Sequence, residues 1–447
     1  MSDVIACEDV LLFVNAAITS TGQREFHSSA DEQRLSLGFL HRYIMGNYRE
    51  VYAAALALDI NDHNAALIAR NLLAERPTER EGRLIARRLR RMAPQRVYGL
   101  FRLLRAAGIN NRRTRAIIRD WLADRPDLAF DAVKYRSALK DAVRHAHLPL
   151  PAELGDFLFG TRVHFDTPIL EAWRRAHYEA RAVYELPYTV AEGFAARRGI
   201  AREKFLERIA PRLTKLERLR LDADPDLGGQ PLVRAASYVL ALPYEERVRR
   251  RAELHAALRA SAARAAGARA GTWGRVAAVL DDSFSAFGST AKRRRPLAVA
   301  LACHYLLAAL AGEYRGRWLS GRGDPLLVRP VGATPLGERI IDALEWRPDR
   351  LVIVSDGWDN APPGLAAEVL RVWRERLDPA ELTGIVHLNP VYDADDFDVR
   401  RLSPLVPTAG IRDAESLPAL VELARFATGR TGYASLLRYL DDRTAEL

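Results

Sequence analysis

The stretch from Val279 to Gly288 reads VLDDSFSAFG, an apolar run that ends in Asp281, Ser283 and Ser285 at alternating positions. Alternate residues of an extended segment face the same side, so a carboxylate and two hydroxyls can converge there. These hard oxygen donors suit Mg²⁺, or another divalent cation of its kind, and not a thiophilic metal. An octahedral ion needs more donors than three. Two stand downstream: Thr334 in VGATPLGERI, a loop ahead of a helical segment, and Asp356 at the end of the apolar run RLVIVSD. Taken alone, the Asp281 motif describes a helix cap better than a metal site, and it is Thr334 and Asp356 that favour the ion. No nucleophile with an adjacent base accompanies the cluster, and LDDSF lacks the Asp-x-Asp pair of aspartyl-phosphate chemistry. The cluster therefore reads as a docking site, and the chain as a protein that binds and does not catalyse.

Strand-like and helical runs must alternate to position these donors, and after the Ala/Arg-rich stretch 257–271 they do. RVAAVL, PLAVALACHYLLAALA, RLVIVSDG, GLAAEVLRVWRERL and TGIVHLN follow one another, the pattern of a doubly wound α/β domain with a parallel sheet. Such sheets bind ligands at the carboxyl ends of their strands, where Asp281 and Asp356 fall. Asp-x-Ser-x-Ser, a loop threonine and a strand-end aspartate in that order resemble the metal-ion-dependent adhesion site of von Willebrand factor A domains. The resemblance assigns residues 269–447 to such a domain. It implies that Ser283, Ser285 and Thr334 contact the ion by hydroxyl, with Asp281 and Asp356 beside it or bound through water. One position stays open for a carboxylate from a protein partner. Ala286-Phe287-Gly288 follows the motif where a methionine or glycine is more usual. A second acidic run, YDADDFD with Asp393, Asp395, Asp396 and Asp398, lacks the glycine and distal glutamate of an EF-hand and is expected to be a solvated surface loop.

Upstream, short amphipathic segments are separated by breaks at Asn61-Asp62, Pro77, Pro94, Asn110 and Pro126. Pro94 to Ala107 shows the logic: proline in the first turn, a stripe of Val97, Leu100, Phe101 and Leu104, then Gly108 as the cap. Helices this short are marginal alone and must cover one another, so residues 1–268 are expected to form a HEAT-like α-helical repeat scaffold, with the helical pattern continuing through residue 220. In EGRLIARRLRRMAPQR, Arg83, Arg87 and Arg90 lie apart from Ile85, Leu89 and Met92; in NNRRTRAIIRDWL, Arg112, Arg115 and Arg119 lie apart from Ile118, Trp121 and Leu122. Stacked helices would align these arginines into a track for RNA phosphates, although most such faces are simply solvated.

The chain of 447 residues is 49% hydrophobic and 28% charged with a net charge of +10, a globular composition with a field attractive to polyanions. Lysine occurs only at positions 134, 140, 204, 215 and 292, so arginine carries the charge. Cys7 and Cys303 give no disulfide framework. No membrane span or secretory signal is evident, and a cytoplasmic location is expected.

Lys134-Tyr135-Arg136 and Ala142-Val143-Arg144-His145-Ala146-His147, in AVKYRSALKDAVRHAHLPLP, resemble portions of the TROVE domain, the helical-repeat RNA-binding ring of Ro autoantigen-like proteins. A von Willebrand A domain follows the ring in that family, in the order seen here. The Gly-Trp-Ser-His stretch that the family carries between these portions is missing. The resemblance implies binding of structured or misfolded non-coding RNA and adds Lys134, Arg136, Arg144 and His147 to the RNA-contacting residues. Read from spacing alone, His145 and His147 cannot share a helical face and are structural histidines, not metal ligands. The rival expectation is a protein–protein adaptor without RNA, holding one protein on the helices and another, such as an ATPase, at the metal site.

Overall fold

The apolar period changes where the sequence changes texture, and the secondary structure changes with it. The structure is a computed structural model and describes residues 2–214, 217–218, 221, 226–424, 426 and 432–447. Among these, no strand precedes Arg275. The expected helical pattern through residue 220 lies partly outside the described residues. The chain forms two compact units, one of residues 1–64 with 226–446, the other of residues 65–225 with Leu447.

In the second unit the helices stack as repeats. Helix Glu79–Arg91 opens on a capping box, with Thr78 and Glu81 each satisfying the other's backbone N–H. A two-residue turn leads to helix Pro94–Ala106, and Asn111 caps helix Arg112–Ala123. Helices two or three apart then meet in the same direction. Trp121 Nε1 donates to Leu89 O at 3.3 Å, and Arg90 pairs with Asp124 at 2.7 Å. Arg102 donates to Ser137 at 3.0 Å, and Arg105 meets Asp141 one turn further on. That register is what stacked helix pairs require.

In the first unit five parallel strands form one sheet: β1 (Arg275–Leu280), β2 (Glu313–Trp318), β3 (Arg350–Val354), β4 (Gly384–Asn389) and β5 (Thr408–Gly410), in the order β2-β1-β3-β4-β5. β1 and β3 are buried nearly end to end, as parallel strands covered on both faces must be. One face packs Ala277, Val279, Leu351 and Ile353 against Leu336, Ile340, Leu344 and Leu370. Helix Arg295–Leu310 is apolar on every side and almost wholly buried, so it lies under further helices.

The sequence boundary at 268 follows the change in texture, whereas compactness groups both residues 226–268 and the first 64 residues with the sheet. The physical reason is a set of buried polar contacts. Asn15 Nδ2 donates to Asp398 Oδ1 at 2.8 Å, and Asn15 Oδ1 accepts from Gly410 N at 2.9 Å. Gln33 Nε2 donates to Tyr392 O at 3.1 Å, Ser36 bonds the Tyr392 hydroxyl, and Lys292 pairs with Glu25. Replacing Asn15 with Ala leaves the Gly410 N–H and an Asp398 oxygen unsatisfied. The expected cost is about 2–4 kcal/mol, read from denaturant unfolding, while Thr21→Ala on the exposed turn nearby should change little.

Candidate metal centre and basic cleft

β1 is flanked by β2 on one side and β3 on the other, so the strand order reverses between β1 and β3, the place where an open parallel sheet holds ligands. The two strands end level, with Leu280 beside Val354. Asp281 follows β1 directly, and its N–H continues the ladder to Val354 O at 3.0 Å. Asp281 Oδ1 accepts from Ser283 N at 2.9 Å and Oδ2 from Ser355 Oγ at 2.7 Å. Asp356 Oδ1 accepts from Trp358 N at 3.1 Å, and the Ser285 side chain hydrogen-bonds the same carboxylate. Ser283 Oγ and Ser285 Oγ stand 3.2 Å apart. Ser283 sits at the N-cap position of the short 3₁₀ turn Phe284–Phe287, yet its side chain makes no capping bond, so its hydroxyl is not consumed by the cap.

The loop bearing Thr334 is fastened to both others. Val331 N donates to Asp282 O at 3.0 Å, Phe284 N to Gly332 O at 3.1 Å, and Thr334 N to Asn360 Oδ1 at 2.8 Å. Asp281, Ser283, Ser285, Thr334 and Asp356 thus stand on three loops bonded to one another, and all but Ser285 are buried. Gly357 lets the last loop turn: its φ is +82°, and a Cβ would lie 2.7 Å from Arg400 O.

Burial is the main electrostatic fact. It raises the Asp281 carboxyl, and it raises Asp356 with further help from the Asp281 charge, up to about 7. Neither carboxylate has an ion-pair partner among the described residues; Arg400, the nearby cation, stacks 3.6 Å over the Trp358 ring. Among the described residues no three His, Cys, Asp or Glu side chains gather as a metal-binding group. The donor set is two carboxylates with hydroxyls, which fits a hard divalent ion. Sequence reasoning missed Ser355 and Asn360, which orient Asp281 and the Thr334 loop. Their only sequence signal was a polar side chain within the strand-end run SDGWDN.

The acidic run 393–398 is not wholly solvated as expected. Asp398 is buried, accepting from Asn15 and paired with Arg401 at 3.1 Å, because it anchors the N-terminal helix. Asp395 and Asp396 are exposed.

The basic residues of the helical unit divide into two groups. Arg83, Arg87, Arg90, Arg112, Arg115, Arg119 and Arg144 are exposed. Of these, Arg83 pairs with Glu79, Arg90 with Asp124 and Arg119 with Asp120, and Arg144 lies 4.9 Å over the Phe159 ring. Lys134 and Arg136 are packed instead, which corrects their place in the expected track. Arg136 donates to Phe157 O at 2.7 Å and lies over the Phe157 and Trp173 rings. Lys134 lies over Phe130 and Tyr135, 3.9 Å from Glu217 Oε1. His147 is the left-handed cap of helix Arg136–Ala146 with its side chain exposed, and His145 Nε2 bonds Ile109 O at 2.9 Å.

A cleft of 720 Å³ opens at the start of helix Arg112–Ala123, lined by Arg76, Arg112, Arg113, Arg119 and Asp120. Asn111 Nδ2 pins this helix end to Leu73 O at 2.7 Å, which brings Arg76 alongside. No carboxylate pairs with Arg76, Arg112 or Arg113 among the described residues. Cations in a first helical turn oppose the helix dipole. Helix Glu79–Arg91 obeys the rule, with acids first and arginines last, whereas helix Arg112–Ala123 has no acid in its first turn.

The crystal structure of the Deinococcus radiodurans RO (RSR) protein matches this chain with a TM-score of 0.55, covering 95% of this chain and 100% of that one. The fold is Ro-like. At 14% identity the likeness is one of fold. Neither the family models nor the curated proteins compared with the sequence give a match. Within this Ro-like fold the described residues include no helix long and apolar enough to cross a membrane.

Asp356 supplies a pH test. Its carboxyl is held above the ordinary value of 3.8, so the folded chain binds that proton more tightly than the unfolded chain. Stability from this group therefore falls as pH rises from 3.8 toward about 7. In chelator, Asp356→Asn should melt several degrees above the parent at pH 8, with the gap closing by pH 5. An equal gap at both pH values would mean that the pair carries no charge strain.

Proposed function

We propose that this chain is a Ro-like RNA-binding protein that holds structured or misfolded non-coding RNA by its phosphates on the helical unit, and docks a protein partner through a Mg²⁺-dependent site. It acts by binding and not by turnover, in the cytoplasm. The observation that carries the RNA reading is the cleft of Arg76, Arg112, Arg113 and Arg119, where the guanidinium groups of Arg76, Arg112 and Arg113, uncompensated among the described residues, crowd a helix N-terminus. A local rule broken with no gain to the fold is the mark of a functional position, and bidentate guanidinium groups suit phosphate oxygens. The von Willebrand A-type reading rests on Asp281, Ser283, Ser285, Thr334 and Asp356 sharing three interlocked loops. When bound, the ion would supply a fixed positive charge for a partner carboxylate. Asp281, Ser283, Ser285, Thr334 and Asp356 would hold it, with Ser355 orienting Asp281. The adaptor alternative gains from the packing of Lys134 and Arg136, which removes two cations from the RNA track.

Reversing Arg112 and Arg113 to Glu should weaken binding to every RNA tested. It should also flatten the slope of log K against log salt by about 0.7 to 0.9 per lost phosphate contact. Identical curves for parent and variant across three salt concentrations would favour the adaptor. Separately, Mg²⁺ should raise the melting temperature at pH 8 and much less at pH 5.5, because Asp356 must release its proton to bind the ion. Asp281→Ala should abolish that gain. A parent whose melt ignores Mg²⁺ at pH 8 has no such site.

A further inference from the structure

A cleft of 560 Å³ in the sheet-bearing unit has no part in the proposed RNA or metal chemistry. It lies between helices Arg251–Ala266 and Arg295–Leu310, closed at one end by the loop Gly323–Pro325. That end is polar and fixed. Arg251 Nε lies 2.6 Å from Asp324 Oδ2, and His255 Nε2 lies 3.4 Å from Asp324 Oδ1. The Tyr305 hydroxyl meets His255 Nδ1 at 2.6 Å, and the Tyr314 hydroxyl meets His304 Nδ1 at 2.9 Å. Gly316 on β2 makes room for the second pair: a Cβ there would stand 2.9 Å from both His304 Nδ1 and the Tyr314 oxygen. The other end is floored by Ala262, Ala263, Ala308 and Ala309.

The charges do not cancel. Asp324 neutralises Arg251, and burial holds both histidines neutral, His304 down to about 4. Arg259 stands exposed on the rim with no carboxylate partner among the described residues, and its charge reaches His255, His304 and Tyr305. Asp324 beside His255 Nε2 takes the proton of that nitrogen, so the Tyr305 hydroxyl donates to His255 Nδ1. The Tyr314 hydroxyl occupies His304 Nδ1, and His304 Nε2 makes no hydrogen bond among the described residues, so it is the nitrogen left to meet a ligand. A network that only tied the helices together would account for the histidine–tyrosine pairs, but not for the open volume beside them or for Arg259.

We propose that this cleft binds a small organic anion, its carboxylate or phosphate head on Arg259 and the Nε2–H of His304, and its flat apolar body on the alanine floor. A charged head on fixed donors with an apolar wall beside it is the usual composition of a small-ligand site. The test uses the full chain with ¹³C-labelled histidine rings, titrated with benzoate, phenyl phosphate and inorganic phosphate. Benzoate or phenyl phosphate should shift the His255 and His304 signals saturably by about 10 mM; which of the two binds tighter identifies the head group. Inorganic phosphate, lacking the apolar body, should bind about ten-fold more weakly or worse. Arg259→Gln, at an exposed position, should weaken both aromatic anions by about ten-fold or more. Ala263→Leu, filling the floor, should remove them while sparing inorganic phosphate. Absence of saturable shifts with all three probes, or unchanged affinity in Arg259→Gln, overturns the proposal. Equal affinity for phenyl phosphate and inorganic phosphate overturns the apolar subsite.

Discussion

The central strands of this parallel sheet must be shielded from water on both faces, and much of the chain's long-range organisation answers that requirement. β1 and β3 are apolar on both sides, so helices must cover both, and a strand at the edge needs something to meet its unpaired groups. The short edge strand β5 gets that from Asn15, whose amide oxygen takes the Gly410 N–H. The helix Ser2–Thr19 is thereby drawn onto a strand at the far end of the sequence, and the first 64 residues join the sheet's unit.

The same sheet creates the electrostatic problem at its carboxyl edge. Two strands that end in register bring the residues after them together, and here those residues include Asp281 and Asp356. Interlocking loops then shut most of the water out. Nearby hydroxyls and backbone N–H groups orient the carboxylates but carry no full charge, so the repulsion stays. An arrangement of this kind keeps unfavourable electrostatic free energy at one point on an otherwise well-packed scaffold.

Local sequence carried the parts of this molecule that local physics determines. Helix stripes such as Val97, Leu100, Phe101 and Leu104 were legible because burial repeats with the helical period. The strand-end aspartates were legible because apolar runs stop abruptly at them. What escaped depends on a distant partner. Nothing around Asp398 in YDADDFD says that Asn15 will bury it, and nothing around Arg136 says that Phe157 and Trp173 will close over it. Charge in a sequence is visible, but whether it faces water is decided by residues far along the chain. The cleft beside His255 and His304 was invisible for the same reason. Its groups come from two helices, a strand and a loop, and only the packing makes them neighbours.

The clasp between Asn15 and the β5 edge also has a consequence in time. During synthesis the first 64 residues leave the ribosome long before Asp398 and Gly410 exist. Phe13, Val14, Leu37 and Ile44, fully buried in the finished unit, must wait while residues 65–225 emerge and stack through mostly local contacts. Helical repeats of that kind form quickly, whereas closure between chain-distant segments is slow. The sheet-bearing unit is therefore the last to be completed, and its earliest-made helices are its longest-exposed apolar surface.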